Sequence, residues 1–586
     1  MGEERPWPWE RSYPPGVRWD APLAISTLPQ MLDAFTAQWG PKPALEYRDR
    51  TTSYAELRTA VDAVAAGLME LGVGPGTAVA LYLPNTLYHP ITFFAVLRCG
   101  GRVVHLSPLD AERELAFKLK DSGARILITT NIGFMALMAR KLMADGLVDH
   151  LIVGDDTAFG PSAVPTSPIP DGAGVLRFEA LREAGAGALP REWPELDVED
   201  IALLQYTGGT TGRPKGTILT HANLSAACAM YKAWSDPQRE TPPGEDKVIC
   251  VLPLFHMYAL SAVMLRCLCE GNELMLRLRF DVATTLHDIE VKRATVFPGV
   301  PTMWIALGNA PDIARRDLSS LRRVSSGGAP LPVEVGEKFH KLTGHRLVGG
   351  WGMTETSPAG TTLPLQWRPD KAGSMGVPLP GIVMDIVALD DPRRRLPPGE
   401  KGEIRIKGLN VTQGYWNAPQ ETAAAFADGY FLTGDIGTMD EDGWFYLVDR
   451  KKDMILSGGF NVYPSSIEEA IYEHPAVAEV IVIGVPDAYR GEAAKAFVQL
   501  KPGAAPFSLD ELRAFLADKL GRHEMPAHLE FREALPKTAV GKLSKKELVE
   551  EERRKTRARD SAVGSRGSAV EGQGLAPADS RRPTAD

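Results

Sequence analysis

Cysteine is scarce: the 586-residue chain holds five, at Cys99, Cys228, Cys250, Cys267 and Cys269. That is too few, and too unevenly placed, for a disulfide framework. Cys267 and Cys269 stand one residue apart, which is neither a redox CxxC pair nor metal-ligand spacing, so buried apolar thiols in a reducing compartment are expected. A long apolar run is also missing. The most apolar stretch, residues 251–269, is broken by Pro253, His256 and Arg266 and reads poorly as a membrane span. The opening residues, Met-Gly-Glu-Glu-Arg-Pro-Trp-Pro, lack the apolar core of a signal peptide. Excess positive charge is absent too: a net charge of −9 removes the whole-chain field behind nonspecific nucleic-acid binding. The expected location is the cytoplasm.

What is present points to an enzyme. Apolar residues at 44% and charged residues at 24% are ordinary globular usage, and the length suits two to four domains. The 56 glycines and 46 prolines exceed average usage without a Gly-X-Y period, as in loop-rich α/β proteins. Apolar runs at 78–83, 101–106 and 124–129 alternate with helical patterns at 89–97 and 111–120. The rhythm returns at 247–252, 273–276, 294–300 and 324–327. Such alternation predicts parallel sheets with helices on both faces.

After residue 453 the pattern changes to a small α+β unit. It has helices predicted at 465–473 and 509–520, with capping-box pairs Ser465/Glu468 and Ser508/Glu511, and strands at 477–485 and 495–500. From residue 549 the chain is charged and small, without aromatics, and a frayed helix passing into a disordered tail is expected. The division is therefore 1–449, 450–548 and 549–586.

The strongest local signal is Tyr-Thr-Gly-Gly-Thr-Thr-Gly-Arg-Pro-Lys-Gly at 206–216, directly after a predicted strand at 201–205. Glycines let backbone N–H groups approach an anion closely, threonine hydroxyls add donors, and Lys215 adds charge. This is a phosphate cradle without the GxxxxGK[ST] spacing of a Walker A loop, which disfavours a P-loop kinase or ATPase.

The string resembles the signature loop of adenylate-forming enzymes, a superfamily of acyl-CoA synthetases, aryl-CoA ligases, luciferases and peptide-synthetase adenylation domains. Further motifs follow in family order over roughly residues 25–548. They are Leu-Pro-Leu-Phe-His at 252–256, Ser-Gly-Gly-Ala-Pro at 326–330 and Gly-Trp-Gly-Met-Thr-Glu-Thr-Ser-Pro at 350–358. Then come Tyr-Phe-Leu-Thr-Gly-Asp-Ile at 430–436, Asp-Arg-Lys-Lys-Asp at 449–453 and Pro-Lys-Thr-Ala-Val-Gly-Lys at 536–542. The run 449–464 and the N-terminal 9–17 are most similar to bacterial long-chain fatty-acid–CoA ligases.

The resemblance implies a large adenylation domain of several subdomains with parallel sheets, and a small mobile α+β domain. It implies two half-reactions: carboxylate and ATP give acyl-AMP and pyrophosphate, then a thiol displaces AMP. ATP, Mg²⁺ and coenzyme A are the implied cofactors. Thr207, Gly208, Gly209, Thr210, Thr211, Gly212 and Lys215 would hold the departing phosphates. Thr354 would lie near the α-phosphate, and Glu355 matches the Mg²⁺-associated acid. Gly327, Gly328, Ala329 and Gly352 belong to the nucleotide motifs; Trp351, where relatives often carry Tyr, offers a ring to stack on adenine. Asp435 matches the ribose-binding carboxylate and Arg450 a second ribose or phosphate contact. Lys542 matches the lysine that offsets charge on the carboxylate and α-phosphate, and His256 a histidine near the reacting carboxylate. Lys452 marks the domain hinge, and Gly458 and Gly459 would admit the pantetheine arm.

The acyl pocket implied by the family is lined by Ala259, Leu260, Val300, Gly350 and Met353. None offers a buried charge to pair with an amino-acid ammonium, which disfavours an amino-acid adenylation domain. Leu260 stands where some fatty-acyl ligases place a gating Trp. The leading expectation is a ligase for medium- or long-chain fatty acids. The alternatives are an aryl-CoA ligase of the coumarate type and an acyl-AMP ligase that loads a carrier protein; a catalytically silent lipid-binding scaffold is disfavoured by the presence of Lys542, Glu355, Asp435 and Arg450. No nucleic-acid partner is expected. Peripheral contact with the inner face of a membrane, to collect lipid, and oligomerisation are left open.

Overall fold

The computed structural model describes residues 5–207, 214–329, 331, 333–457, 460–487, 489–538 and 541–555. Chain contacts divide it into two compact units, Met1–Lys452 with Ala539–Lys542, and Asp453–Thr538 with Leu543–Asp586.

Three sheets build the first unit. A seven-stranded sheet runs in the order Val175–Arg177, His150–Gly154, Ile126–Thr130, Ala78–Leu81, Arg102–His105, Ile201–Thr207, Lys215–Thr220. Its neighbours are parallel except for the last pair, an antiparallel hairpin. The inner strands are short and buried on both faces, as parallel strands covered by helices must be. Helix Tyr88–Arg98 is buried along its whole length, so its sequence is apolar all round rather than amphipathic. A nine-stranded sheet is parallel from Leu347–Trp351 through Arg323–Ser326, Val296–Gly299, Lys247–Cys250 and Glu273–Leu276 to Pro43–Tyr47. One hydrophobic core joins both large sheets, drawing on Leu81 and Val103 from one and on Ile249, Leu274 and Phe297 from the other. The apolar stretch 251–269 resolves into a turn followed by a π-helical segment, Tyr258–Leu265, a form that commonly marks functional sites.

The third sheet is antiparallel: Val383–Val387, Gly402–Lys407 and Tyr430–Met439, with Phe445–Arg450 folded back on the last. In that hairpin Asp435 lies directly opposite Arg450, with a bulge between Ile436 and Gly437. The hairpin tip is tied at several points. Asp440 accepts from the Trp444 backbone, and Lys371 bonds both Asp440 and Asp442 at 2.8 Å. Gly443 has φ +78, and a Cβ there would lie 2.3 Å from the Trp9 backbone nitrogen. The N-terminal segment straps this sheet: Trp7 and Trp9 stack at 5.2 Å, and Trp444 donates its indole N–H to Ser12.

In the second unit the long strands Val477–Asp487 and Gly491–Leu500 pair antiparallel, flanked by Ile455–Ser457, Phe460–Val462 and His528–Phe531. Helix Leu509–Leu516 begins with the expected Ser508/Glu511 capping box. The other expected box is absent. That helix starts a residue early, at Pro464–Tyr472, because proline is preset for the first helical position, and its N-cap is Tyr463 without a side-chain cap. Glu468 instead accepts from the Val482 backbone at 2.7 Å and pairs with Lys545.

Candidate functional site

The Gly/Thr string at 206–216 begins and ends on two paired strands, Ile201–Thr207 and Lys215–Thr220. The first strand runs to Thr207, two residues beyond the expected end, because Tyr206 is buried and donates its hydroxyl to Asp121 at 2.6 Å. Thr207 then pairs with Lys215 across the hairpin, so both mouths of the loop are fixed. Gly208, Gly209, Thr210, Thr211 and Gly212 lie outside the described residues, as do Gly458 and Gly459. The Lys215 ammonium rests over the Tyr415 ring, 4.9 Å from its centre.

Tyr415 leads to the second element. Its hydroxyl donates to Glu355 Oε1 at 3.1 Å. Glu355 is buried, in a tight turn over Thr354–Thr356. Burial raises its carboxyl above the usual range, against its own backbone N–H, the Tyr415 hydroxyl and Arg450. The turn is clamped from below. Ser357 adopts a left-handed φ of +55, the wholly buried Asn410 amide donates to the carbonyls of Thr356 and Ala359 at 2.7 Å, and Ser261 donates to the Ser357 carbonyl. A Cβ at Gly352 would lie 2.0 Å from the Pro358 carbonyl oxygen, so only glycine closes this loop. Neither Tyr415 nor Asn410 was singled out in the sequence. Both lie in the connection after strand Gly402–Lys407, more than fifty residues from the turn they hold, and no local pattern marks them.

The third element is Asp435, buried, with a hydrogen-bond donor on one carboxylate oxygen and an ion-pair partner at the other. The Trp351 indole N–H donates to Oδ2 at 2.7 Å and Arg450 Nε lies 3.1 Å from Oδ1. Burial raises the carboxyl, with Arg450, Trp351 and Lys452 opposing. Trp351 and Asp435 are far apart in sequence and belong to different sheets.

Lys542, part of the first unit, completes the set. Its side chain packs on Gly328, whose added Cβ would meet Lys542 Cε at 2.8 Å and Val300 at 3.5 Å; the Gly541 carbonyl accepts from Thr302. Burial, with Arg450, pushes the ammonium down to about 8, while Asp435 opposes. His256 is pushed down to about 3, by burial and then by Lys542. It is therefore neutral; its Nδ1 accepts from the Tyr258 backbone, which assigns the proton to Nε2. Gly327 gives room to Tyr258, whose ring carbon would lie 2.7 Å from a Cβ there. Ala259, Leu260 and Val300 are buried in the main core, whereas Gly350 is exposed and Met353 half-buried; Ala329 is half-buried beside the glycine pair. Lys452 is the last residue of the first unit before the chain passes to the second.

These groups suit a nucleotide and its metal. The buried Glu355 carboxylate, held by the Tyr415 hydroxyl on one oxygen, suits a hard divalent cation. Glu355 is the residue that would hold Mg²⁺, a hard cation that takes oxygen ligands.

The sequence matches the family described as AMP-binding enzyme over residues 32–416, and the AMP-binding enzyme C-terminal domain over residues 466–542. A long-chain-fatty-acid--CoA ligase of Bacillus subtilis (strain 168) is 40% identical over 558 residues, covering 93% of this chain and 98% of that protein. A feruloyl-CoA synthase of Amycolatopsis sp is 36% identical over 505 residues, covering 86% and 95%. The solved structure of O-succinylbenzoate coenzyme A synthetase (MenE) from Bacillus subtilis in complex with ATP and magnesium ion superposes with a TM-score of 0.74 at 29% identity, covering 88% of this chain and 98% of that one.

The clamp beneath Glu355 has a measurable consequence. Asn410→Ala takes the amide donor from the Ala359 carbonyl and leaves the Thr356 carbonyl only the Ala359 backbone N–H, and should destabilise the first unit by about 1–3 kcal/mol. Chemical denaturation reads this directly; an unchanged midpoint would mean the turn does not depend on Asn410.

Proposed function

The chain belongs to the AMP-binding enzyme family, and on that premise we propose that it is an ATP-dependent, AMP-forming fatty acid–CoA ligase for long-chain acids. Its likeness to a long-chain-fatty-acid--CoA ligase over 93% of its length carries this reading above an arylic one. The site chemistry agrees. Bringing a carboxylate onto a triphosphate gathers negative charge, so electrostatic stabilisation dominates what the protein must supply. Lys542 supplies a desolvated cation beside Gly328, and neutral His256 can donate from Nε2 to the acid without adding charge. Asp435 is acceptor-only and suits ribose hydroxyls; Lys215, beside the loop, suits the leaving pyrophosphate. Bound at Glu355, Mg²⁺ supplies neutralisation of phosphate charge. The coenzyme A thiol then displaces AMP. An unbranched acyl chain gains roughly 0.8 kcal/mol for each methylene buried, so an apolar pocket suffices for its selection.

We further propose peripheral membrane contact for collecting the acid. No helix among the described residues is long and apolar enough to cross a membrane. Leu109, Phe134 and Leu137, which follow the carboxyl ends of strands Arg102–His105 and Ile126–Thr130, are all more than half exposed. Phe134→Glu with Leu137→Glu should abolish cosedimentation with anionic lipid vesicles; equal sedimentation of variant and parent would remove this surface from consideration.

Two assays test the central reading. Across carboxylic acids from acetate through palmitate to coumarate, AMP and pyrophosphate should be released fastest with long chains. Release of ADP would overturn the reaction class, and a preference for coumarate would favour the aryl-CoA alternative; pantetheine in place of coenzyme A tests the thiol acceptor. Lys542→Ala should abolish acyl-AMP formation yet largely spare thioester formation from supplied acyl-AMP.

The pH dependence follows from Lys542. The cation is present below pH about 8 and is lost as pH rises through that value. kcat/KM for ATP, which reports the free enzyme, should therefore fall on a basic limb near pH 8. Lys542→Arg, whose guanidinium stays charged, should remove that limb. A limb unmoved by the substitution would assign it to another group.

A further inference from the structure

Trp351 does more than present a ring. Its indole N–H is the donor on Asp435 Oδ2, at 2.7 Å, with both side chains buried. The tryptophan is held rigidly. Its strand pairs with Thr361, its backbone N–H donates to the Thr361 hydroxyl, and its ring fills the space at Gly360, where a Cβ would lie 2.5 Å from a ring carbon. Arg450, the other partner of Asp435, has a side chain about half exposed, and so is the more mobile of the two anchors. The terminal torsion of an aspartate is soft, and the Arg450 ion pair alone would leave it free to turn.

We infer that Trp351 is a positioning residue for ribose recognition. By fixing the rotation of the Asp435 carboxylate it aims acceptor sites on both oxygens at the two hydroxyls of a ribonucleotide. The count supports this. A carboxylate offers about four acceptor sites; the indole takes one on Oδ2, while Arg450 stands 3.1 Å from Oδ1 as an ion pair. A vicinal diol needs two more, one per oxygen, and it needs them in a fixed plane. A tyrosine at 351 would place its hydroxyl at the end of a six-membered ring and could not donate from the same point, so the arrangement is particular to the indole. The fold supplies the stiffness: Asp435 and Arg450 are opposite residues of one hairpin, while Trp351 arrives from the edge of the parallel sheet. The inference rests on the reading of Asp435 as the ribose acceptor.

The test compares ATP with 3′-deoxy-ATP as substrate. The parent enzyme should favour ATP. Trp351→Phe, which keeps an aromatic face, should reduce that preference by about tenfold, the value of one hydrogen bond to a charged acceptor, chiefly through KM for ATP. Benzothienylalanine at position 351, which keeps the indole shape and lacks the N–H, should reproduce the loss without opening a cavity. If either replacement lowers kcat/KM for both nucleotides equally, the indole serves packing or base stacking alone and the inference fails. Asp435→Asn serves as the reference. If it too leaves the preference intact, the ribose reading of Asp435 is at fault; if it erases the preference while both Trp351 replacements retain it, the role of Trp351 is refuted.

Discussion

Desolvated charge governs this site. Glu355 and Asp435 are carboxylates removed from water, and Lys542 is a half-buried ammonium whose charge is partly desolvated, all within the first unit. Two unit charges 4 Å apart interact by about 4 kcal/mol at an effective dielectric near 20, several times their value in water. Such charges repay their burial only when partners stand in fixed places. Tyr415 supplies one for Glu355; Trp351 and Arg450 supply two for Asp435. Much of the surrounding architecture is a means of holding those partners still.

The means are mostly backbone contacts too close for side chains. Gly352 meets the Pro358 carbonyl, Gly328 admits the Lys542 stem, and Gly327 yields to the Tyr258 ring. Each closes a loop against its neighbour and leaves the adjacent functional side chain little room to move. Asn410 performs the same task from a distance, spending its amide protons on two carbonyls of the Glu355 turn. The strained Ser357 is tolerated because Asn410 and Ser261 determine its surroundings on both sides.

Much of this was legible in the sequence, for identifiable reasons. Short apolar runs such as 273–276 fold as read because strands buried on both faces are marked by composition alone. The Thr-Glu turn is a local string, so spacing exposes it. What escaped was long-range. Tyr415 and Asn410 act on Glu355 from another part of the chain, and the indole of Trp351 was read for its ring rather than its N–H. At Ser465 a correct motif lost to its neighbour: Pro464 claims the first helical position and moves the cap to Tyr463. Capping-box spacing cannot see a proline's prior claim.

The hairpin that carries Asp435 and Arg450 has a consequence for chain length. Side chains alternate faces along a strand, so one residue gained or lost in either arm would send Asp435 or Arg450 to the opposite face. Hairpins usually absorb length at the tip, but here the tip is anchored by Lys371 and wedged against Trp9 at Gly443. The segment from 435 to 450 thus works as a ruler with both ends clamped. Grafts, tags and circular permutation points belong elsewhere. Any insertion within the ruler itself would have to be even in number and accompanied by a new tip.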